Sequence, residues 1–266
     1  MDLGIKDKVF VIVGGTSGMG LATARELARE GAAVALVART AERGEQVAAG
    51  VRKETGSDVR MFPADACNTK DIEDAVATIV SQMGAVNGLA VTAGNTLNHD
   101  SFIDLTDAHW EAHFQTILMS VVRSCRAVLP HMIAAGGGTI VNVSAYSIRS
   151  QKLALSAYSA MKAAVASITK NIAVNYGAHG VRANTVCPGF IFTDFMNDKA
   201  EQLSKRLGLP PEEALSKSMR DEWGMKVALD RVGRPQEIGE LIAFLLSGRG
   251  GYTSGALINS DGGTQF

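Results

Sequence analysis

Tyr158 and Lys162 stand four apart in Tyr158-Ser159-Ala160-Met161-Lys162, a spacing that puts both side chains on one face of a helix. A free phenol has a pKa of about 10 and is a weak acid–base group near neutrality. A neighbouring ammonium favours the phenolate and draws that value down, toward proton transfer. A second cluster lies near the amino end, in Val13-Gly14-Gly15-Thr16-Ser17-Gly18-Met19-Gly20. A strand that turns through glycines into a helix start gathers backbone N–H groups and the positive helix end at one point, which suits a pyrophosphate. In this reading Gly14 permits the tight turn, Gly18 lets the chain approach the phosphates, and Gly20 lets helix pack on strand. One cluster holds a dinucleotide; the other moves a proton.

Both clusters need a scaffold. Short apolar runs predict strands over Lys8–Val13, Ala33–Val37, Asp58–Phe62, Gly88–Val91, Thr139–Val143, Val181–Val186 and Ala256–Asn259. Amphipathic runs between them predict helices over Gly18–Glu30, Glu42–Thr55, Thr69–Met83, Ala108–Ala135, Ser156–Tyr176 and Pro235–Leu246. Strands that are apolar throughout belong to a parallel sheet covered on both faces. Strand–helix alternation from end to end gives an α/β, doubly wound sheet of about seven strands with right-handed crossovers. Residues 1–266 then form one domain. Residues 190–230 break the rhythm, being charged and carrying Pro210-Pro211 together with Met196, Met219, Trp223 and Met225. They are expected to form a helical substrate lid over the carboxyl edge of the sheet.

Composition sets the outer bounds. With 46% apolar residues the chain can bury a sizeable core, and its 28 glycines in 266 residues exceed the usual share of ~7%, so they serve particular backbone positions. A formal net charge of −1 with no long basic run argues against nucleic acid. The early apolar stretch Val9 to Val13 is too short for a signal core, and no segment approaches the ~20 apolar residues of a membrane span. Cys67, Cys125 and Cys187 are odd in number and set among apolar neighbours, as reduced thiols are, and a cytoplasmic protein is expected. His109 and His113 are four apart on a helix, but no third ligand stands at metal-binding spacing, so no metal is expected. Arg149 and Lys152, in the loop before Tyr158, either meet an anionic substrate or are solvated loop charges.

Gly14-x-x-x-Gly18-x-Gly20 with Tyr158-x-x-x-Lys162 resembles the short-chain dehydrogenase/reductase family along nearly the whole chain, as do Pro188-Gly189 with Thr193 and the closing Asp261-Gly262-Gly263. The resemblance implies a Rossmann-type domain that moves hydride between a nicotinamide cofactor and a carbonyl or secondary alcohol, a ketone or 3-oxoacyl-like group. Tyr158 would be the acid/base, and Lys162 would hold the nicotinamide ribose. By the same resemblance the cofactor lies against Gly14, Thr16, Ser17, Gly18, Met19, Ala66, Ala93, Gly94, Pro188 and Gly189, with Ile191 and Thr193 at the carboxamide. Asp65 falls at the family's adenine contact, or caps the following helix. The acidic position that selects NAD(H) falls at Ala38, followed by Arg39, Thr40 and Arg43; a guanidinium there pairs with a 2′-phosphate, so NADP(H) is favoured over NAD(H). A homo-oligomer, tetramer or dimer, packed through the helices bearing Trp110 and Tyr158 is implied as well.

Five family positions depart. Val13 replaces the leading Thr of the glycine turn, and Val91-Thr92-Ala93-Gly94 replaces an Asn-Asn-Ala-Gly. The catalytic Ser, thirteen residues before the Tyr, is Ala145, and the Asn seven after Trp110 is Ile117. Ser144, Tyr146 and Ser147 are the hydroxyls that stand nearby. Either one of them substitutes, or the substrate supplies the contact, or catalysis is impaired and the chain is a cofactor-binding scaffold or regulatory protein.

Overall fold

A computed structural model describes residues 2–94, 101–150 and 154–265; Lys152 lies outside them. Strand β1 (Val9–Val13) is buried along its whole length. Val9, Val11 and Val13 enter one core, while Phe10 and Ile12 enter another, as the two-residue period of a strand requires. The chain continues through α1 (Gly18–Arg29), β2 (Ala33–Ala38), α2 (Ala41–Thr55), β3 (Val59–Pro63), α3 (Thr69–Met83) and β4 (Gly88–Val91). The second half runs α4 (Asp107–His113), α5 (Ser120–Ala134), β5 (Gly138–Val143), α6 (Ser156–Tyr176), β6 (Val181–Pro188), α7 (Asn197–Leu207), α8 (Pro211–Asp221), α9 (Pro235–Leu246) and β7 (Leu257–Ser260).

All seven strands pair in parallel, in the order β3-β2-β1-β4-β5-β6-β7. Helices α3, α5 and α6 cover one face; α1, α2 and α9 cover the other. The direction of winding reverses between β1 and β4, where an α/β sheet opens a crevice beyond its strand ends. The glycine turn leaves β1 at that crevice. The expected doubly wound α/β sheet is therefore the observed one.

The helix expected over Ala108–Ala135 is interrupted. Phe114–Met119 forms a π-helical turn between α4 and α5. Thr116 Oγ1 donates to the Ala112 carbonyl at 2.7 Å, and Ser120 Oγ to that of Thr116 at 2.8 Å. Such back-bonding bends helices. The bulge also fits a close neighbour: a Cβ on Gly94 would lie 3.2 Å from the Thr116 carbonyl oxygen. Contrary to the sequence reading, the continuous run 107–134 is long and apolar enough by length and composition to cross a membrane, but half of its most apolar window is buried in the protein. Arg123 on that run is also buried, bonding Thr69 Oγ1 and Gln115 Oε1. This is the pattern of a core helix.

Residues 190–230 hold α7 and α8 around a third, smaller core that includes Leu203, Leu215, Met219, Met225 and Val232. Arg234 Nε bonds Glu212 Oε1 at 2.9 Å, tying the start of α8 to the chain before α9. Residues 227–229 pair antiparallel with 262–264: Val227 bridges Thr264, Ala228 N–H donates to Gly263 O, and Leu229 N–H to Gly262 O.

Candidate active site

The glycine turn is built for close approach. Gly14 and Gly18 have φ of +87° and +49°, a region that costs a side-chain-bearing residue on the order of 1 kcal/mol or more. A Cβ on Gly20 would stand 2.2 Å from the Gly14 carbonyl oxygen and 2.5 Å from Thr92 Oγ1. Where the family's turn begins with Thr, this chain has Val13, and the tie comes from the opposite strand: Thr92 Oγ1 donates to the carbonyls of Val13 and Gly14 at 3.1 and 3.3 Å. Gly20→Ala is expected to lower stability by about 3 kcal/mol through overpacking. Thermal unfolding with and without NADPH checks this, and the variant should also lose most of the ligand-induced shift.

Helix α1 starts with neither a side-chain cap nor an acidic residue in its first turn. Its N–H groups and positive end therefore face the crevice uncompensated, which fits an anion such as a pyrophosphate. From this point a groove runs both ways. Its outer compartment, about 550 Å³, is lined by Gly14, Thr16, Ser17, Arg39, Thr40, Asp65, Ala66, Ala93 and Gly94. A middle compartment of about 150 Å³ adds Gly18, Met19 and Thr193. The inner one, about 180 Å³, reaches Tyr158, Lys162, Pro188, Gly189 and Ile191. All the residues expected to touch the cofactor thus line one groove.

Details within it were not all expected. Phe195, two-thirds exposed, lines all three compartments, and nothing in its charged sequence neighbourhood marks it. Asp65 Oδ1 accepts from Cys67 N–H at 2.9 Å, while Asn68 caps α3 by accepting from the N–H groups of Lys70 and Asp71. Arg39 and Arg43 reach the outer compartment without an ion pair to a described residue.

At the inner end, Lys162 is fully buried, and its Nζ donates to the Val143 carbonyl at 2.9 Å. Burial lowers its pKa to about 8. Tyr158 behaves opposite to the sequence expectation. Burial pushes its phenol well above the usual range, and the nearby Tyr146 and Cys187 add to the rise. Lys162 Nζ lies 5.6 Å from the Tyr158 ring centroid with its bond directed to Val143, so desolvation outweighs the ammonium.

Two of the three neighbouring hydroxyls are engaged. Ser144 Oγ donates to the Lys162 carbonyl at 2.7 Å, and Ser147 Oγ accepts from Ser159 Oγ at 2.9 Å; all four residues are buried. Tyr146 lines the inner compartment beside Ala145. Ile117 is wholly buried in the core with an apolar side chain. His109 closes a capping box with Thr106, and His113 Nδ1 bonds the His109 carbonyl at 2.8 Å, so both rings serve their own helix. Arg149 is exposed on the loop after β5.

Comparison with known proteins agrees with this geometry. A family profile described as Enoyl-(Acyl carrier protein) reductase matches residues 13–265. The chain is 33% identical over 257 residues to cis-4-hydroxycyclohexanecarboxylate dehydrogenase of Sinomonas cyclohexanicum, spanning 97% of this chain and 96% of that protein. It is 31% identical over 259 residues to the short-chain reductase protein NovJ of Streptomyces niveus, spanning 97% and 94%. Among solved structures, L-sorbose reductase from Gluconobacter frateurii, complexed with NADPH and L-sorbose, superposes with a TM-score of 0.91 at 29% identity, covering 99% of this chain and 98% of that one. The chain belongs to the short-chain dehydrogenase/reductase family, as an oxidoreductase acting on CH–OH or C=O groups.

Proposed function

We propose that the chain is an NADP(H)-dependent reductase of a ketone or 3-oxoacyl-like carbonyl, working with a tetrad that lacks the usual Ser and Asn. The observation that carries this reading is the single groove joining the uncompensated start of α1 to Tyr158, with guanidinium groups and no carboxylate where β2 ends. When bound there, the cofactor supplies the hydride. Tyr158 gives its proton to the carbonyl oxygen of the substrate. Its raised pKa keeps the phenol protonated at neutral pH, which suits reduction better than alcohol oxidation. Lys162, four residues on and fully buried, positions the nicotinamide ribose and carries the proton toward Tyr158. Thr193 and the Ile191 backbone hold the carboxamide, and α7–α8 act as the substrate lid.

Arg39 decides the cofactor. It pairs with a 2′-phosphate, with Thr40 and Arg43 beside it, whereas NADH has nothing there for it to grip. Arg39→Ala is expected to lower the NADPH-over-NADH ratio of kcat/KM by about tenfold to a hundredfold, since a charge-assisted pair contributes roughly 1.5–3 kcal/mol. Initial rates with both cofactors read it; an unchanged ratio overturns the cofactor assignment.

A second reading rests on Ala145 and Ile117, which provide no polar side chain at two catalytic positions of the family: a cofactor-binding scaffold or regulatory protein with impaired chemistry. NADPH oxidation against a panel of ketones, aldehydes and ketoacyl thioesters separates the two, because only the reductase turns over in a Tyr158-dependent way. A homo-oligomer, dimer or tetramer, belongs to the first reading; α6 leaves Val174 two-thirds exposed on its outer face.

A further inference from the structure

We propose that Tyr146 donates the hydrogen bond to the substrate carbonyl oxygen that Ala145 cannot give, and that its ring makes this contact answer to the position of α7–α8. The proposal rests on the reductase reading above. It begins from an accounting of donors around Tyr158. Ser144 gives its one proton to the Lys162 carbonyl, so using it would break a buried bond and leave a partner unsatisfied. Ser147 accepts from Ser159 and keeps its own proton, but it is wholly buried, whereas Tyr146 is partly exposed. The Tyr146 hydroxyl makes no hydrogen bond with a described residue, and the residue lines the same cavity as Ala145, Tyr158 and Lys162.

Geometry favours it further. Tyr146 opens a short 3-10 turn, Tyr146–Ile148, directly after the extended Ala145. A phenol reaches several ångströms further from the backbone than a serine hydroxyl, so a residue one step along the turn still reaches the cavity. The methyl of Ala145 leaves it room. The Tyr146 phenol is near enough to oppose ionisation of Tyr158, and burial raises its own pKa, which keeps it protonated as a donor. Meanwhile the Tyr146 ring packs against the small core of α7–α8, as Phe190, Phe192 and Met196 also do. The hydroxyl that orients the substrate and the ring that seats the helical pair are thus one side chain. A displaced α7–α8 pair would displace the donor.

The test uses the intact protein with NADPH and the most active ketone of the panel. Tyr146→Phe keeps the ring and removes the hydroxyl; it should lower kcat/KM about 10²-fold, mostly in kcat because the bond tightens as charge grows on oxygen. NADPH affinity should stay within twofold. Adding Ala145→Ser to that variant should recover tenfold or more, which a merely structural tyrosine would not allow. A second readout needs no turnover: cyclohexanone binding to the enzyme–NADP⁺ complex, followed by protein fluorescence, should weaken about tenfold in Tyr146→Phe. Activity and ketone binding within threefold of the parent, or a larger loss in Ser147→Ala, overturn the assignment of Tyr146 alone. A parent protein that reduces no ketone and binds none overturns the reductase reading with it.

Discussion

Tyr158→Phe is expected to lower NADPH-dependent carbonyl reduction by about 10³-fold, within the range that a positioned general acid contributes, with NADPH binding intact. The hydroxyl makes no hydrogen bond with a described residue, and the ring is packed against the core beneath the groove. Removing the oxygen therefore leaves no buried partner unsatisfied, and thermal stability should be unchanged or slightly higher. Rate measurement at the NADPH absorbance band, alongside a melting curve, separates this from a folding defect. Because burial holds the phenol above its ordinary range, the reductive rate of the parent should not fall through deprotonation of Tyr158 between neutrality and about pH 10. A loss of activity with a midpoint near 8 would point to Lys162 instead, whose pKa is lowered to about 8.

Lys162→Met should abolish most activity and yet stabilise the fold at pH 7. Burial lowers the Lys162 pKa from 10.5 to about 8, so the folded state resists the proton that the unfolded chain holds readily. Between about pH 8 and 10.5 the unfolded chain binds more protons, and stability of the parent rises with pH across that window. Below it the full penalty is present, on the order of 3 kcal/mol, offset in part by the bond from Nζ to Val143, which contributes about 1 kcal/mol. Methionine removes the charge and fills the space. The gain should amount to several degrees in Tm at pH 7 and should vanish by pH 10.5, where both proteins carry a neutral side chain. Equal melting temperatures at pH 7 would mean that the ammonium is better compensated than its surroundings indicate.

What was legible in the sequence was what is local. β1 reads as five consecutive apolar residues because helices cover both faces of a parallel strand, and the glycine turn reads as a cradle because strand, turn and helix start adjoin in the chain. Tyr158 and Lys162 share a face by spacing alone. The direction of the Tyr158 shift was not legible: burial is decided by β5, β6 and residues 189–196 folding around the phenol, and the ammonium four residues away was the visible influence. The π-helical turn at Phe114–Met119 escaped because the apolar period runs through it unbroken, and its close neighbour Gly94, where a Cβ would lie 3.2 Å from the Thr116 carbonyl oxygen, is distant in sequence. Val13 and Thr92 read as two separate departures; only the sheet register reveals that one repairs the other. Phe195 has no signature at all, since a single exposed aromatic on a short turn carries no period.

The pairing of residues 227–229 with 262–264 has a bearing on how the protein is made. Every residue that lines the three compartments of the groove falls between 13 and 196, yet the inner wall is tied to later residues, Phe192 N–H donating to the Gly233 carbonyl and Gly189 N–H to that of Ser260. The fastening for α7–α8, at residues 262–264, likewise follows the lining residues in the chain. Vectorial synthesis therefore imposes an order: the lining residues leave the exit tunnel first, and the contacts that fasten their inner wall and α7–α8 form only after some sixty further residues have followed.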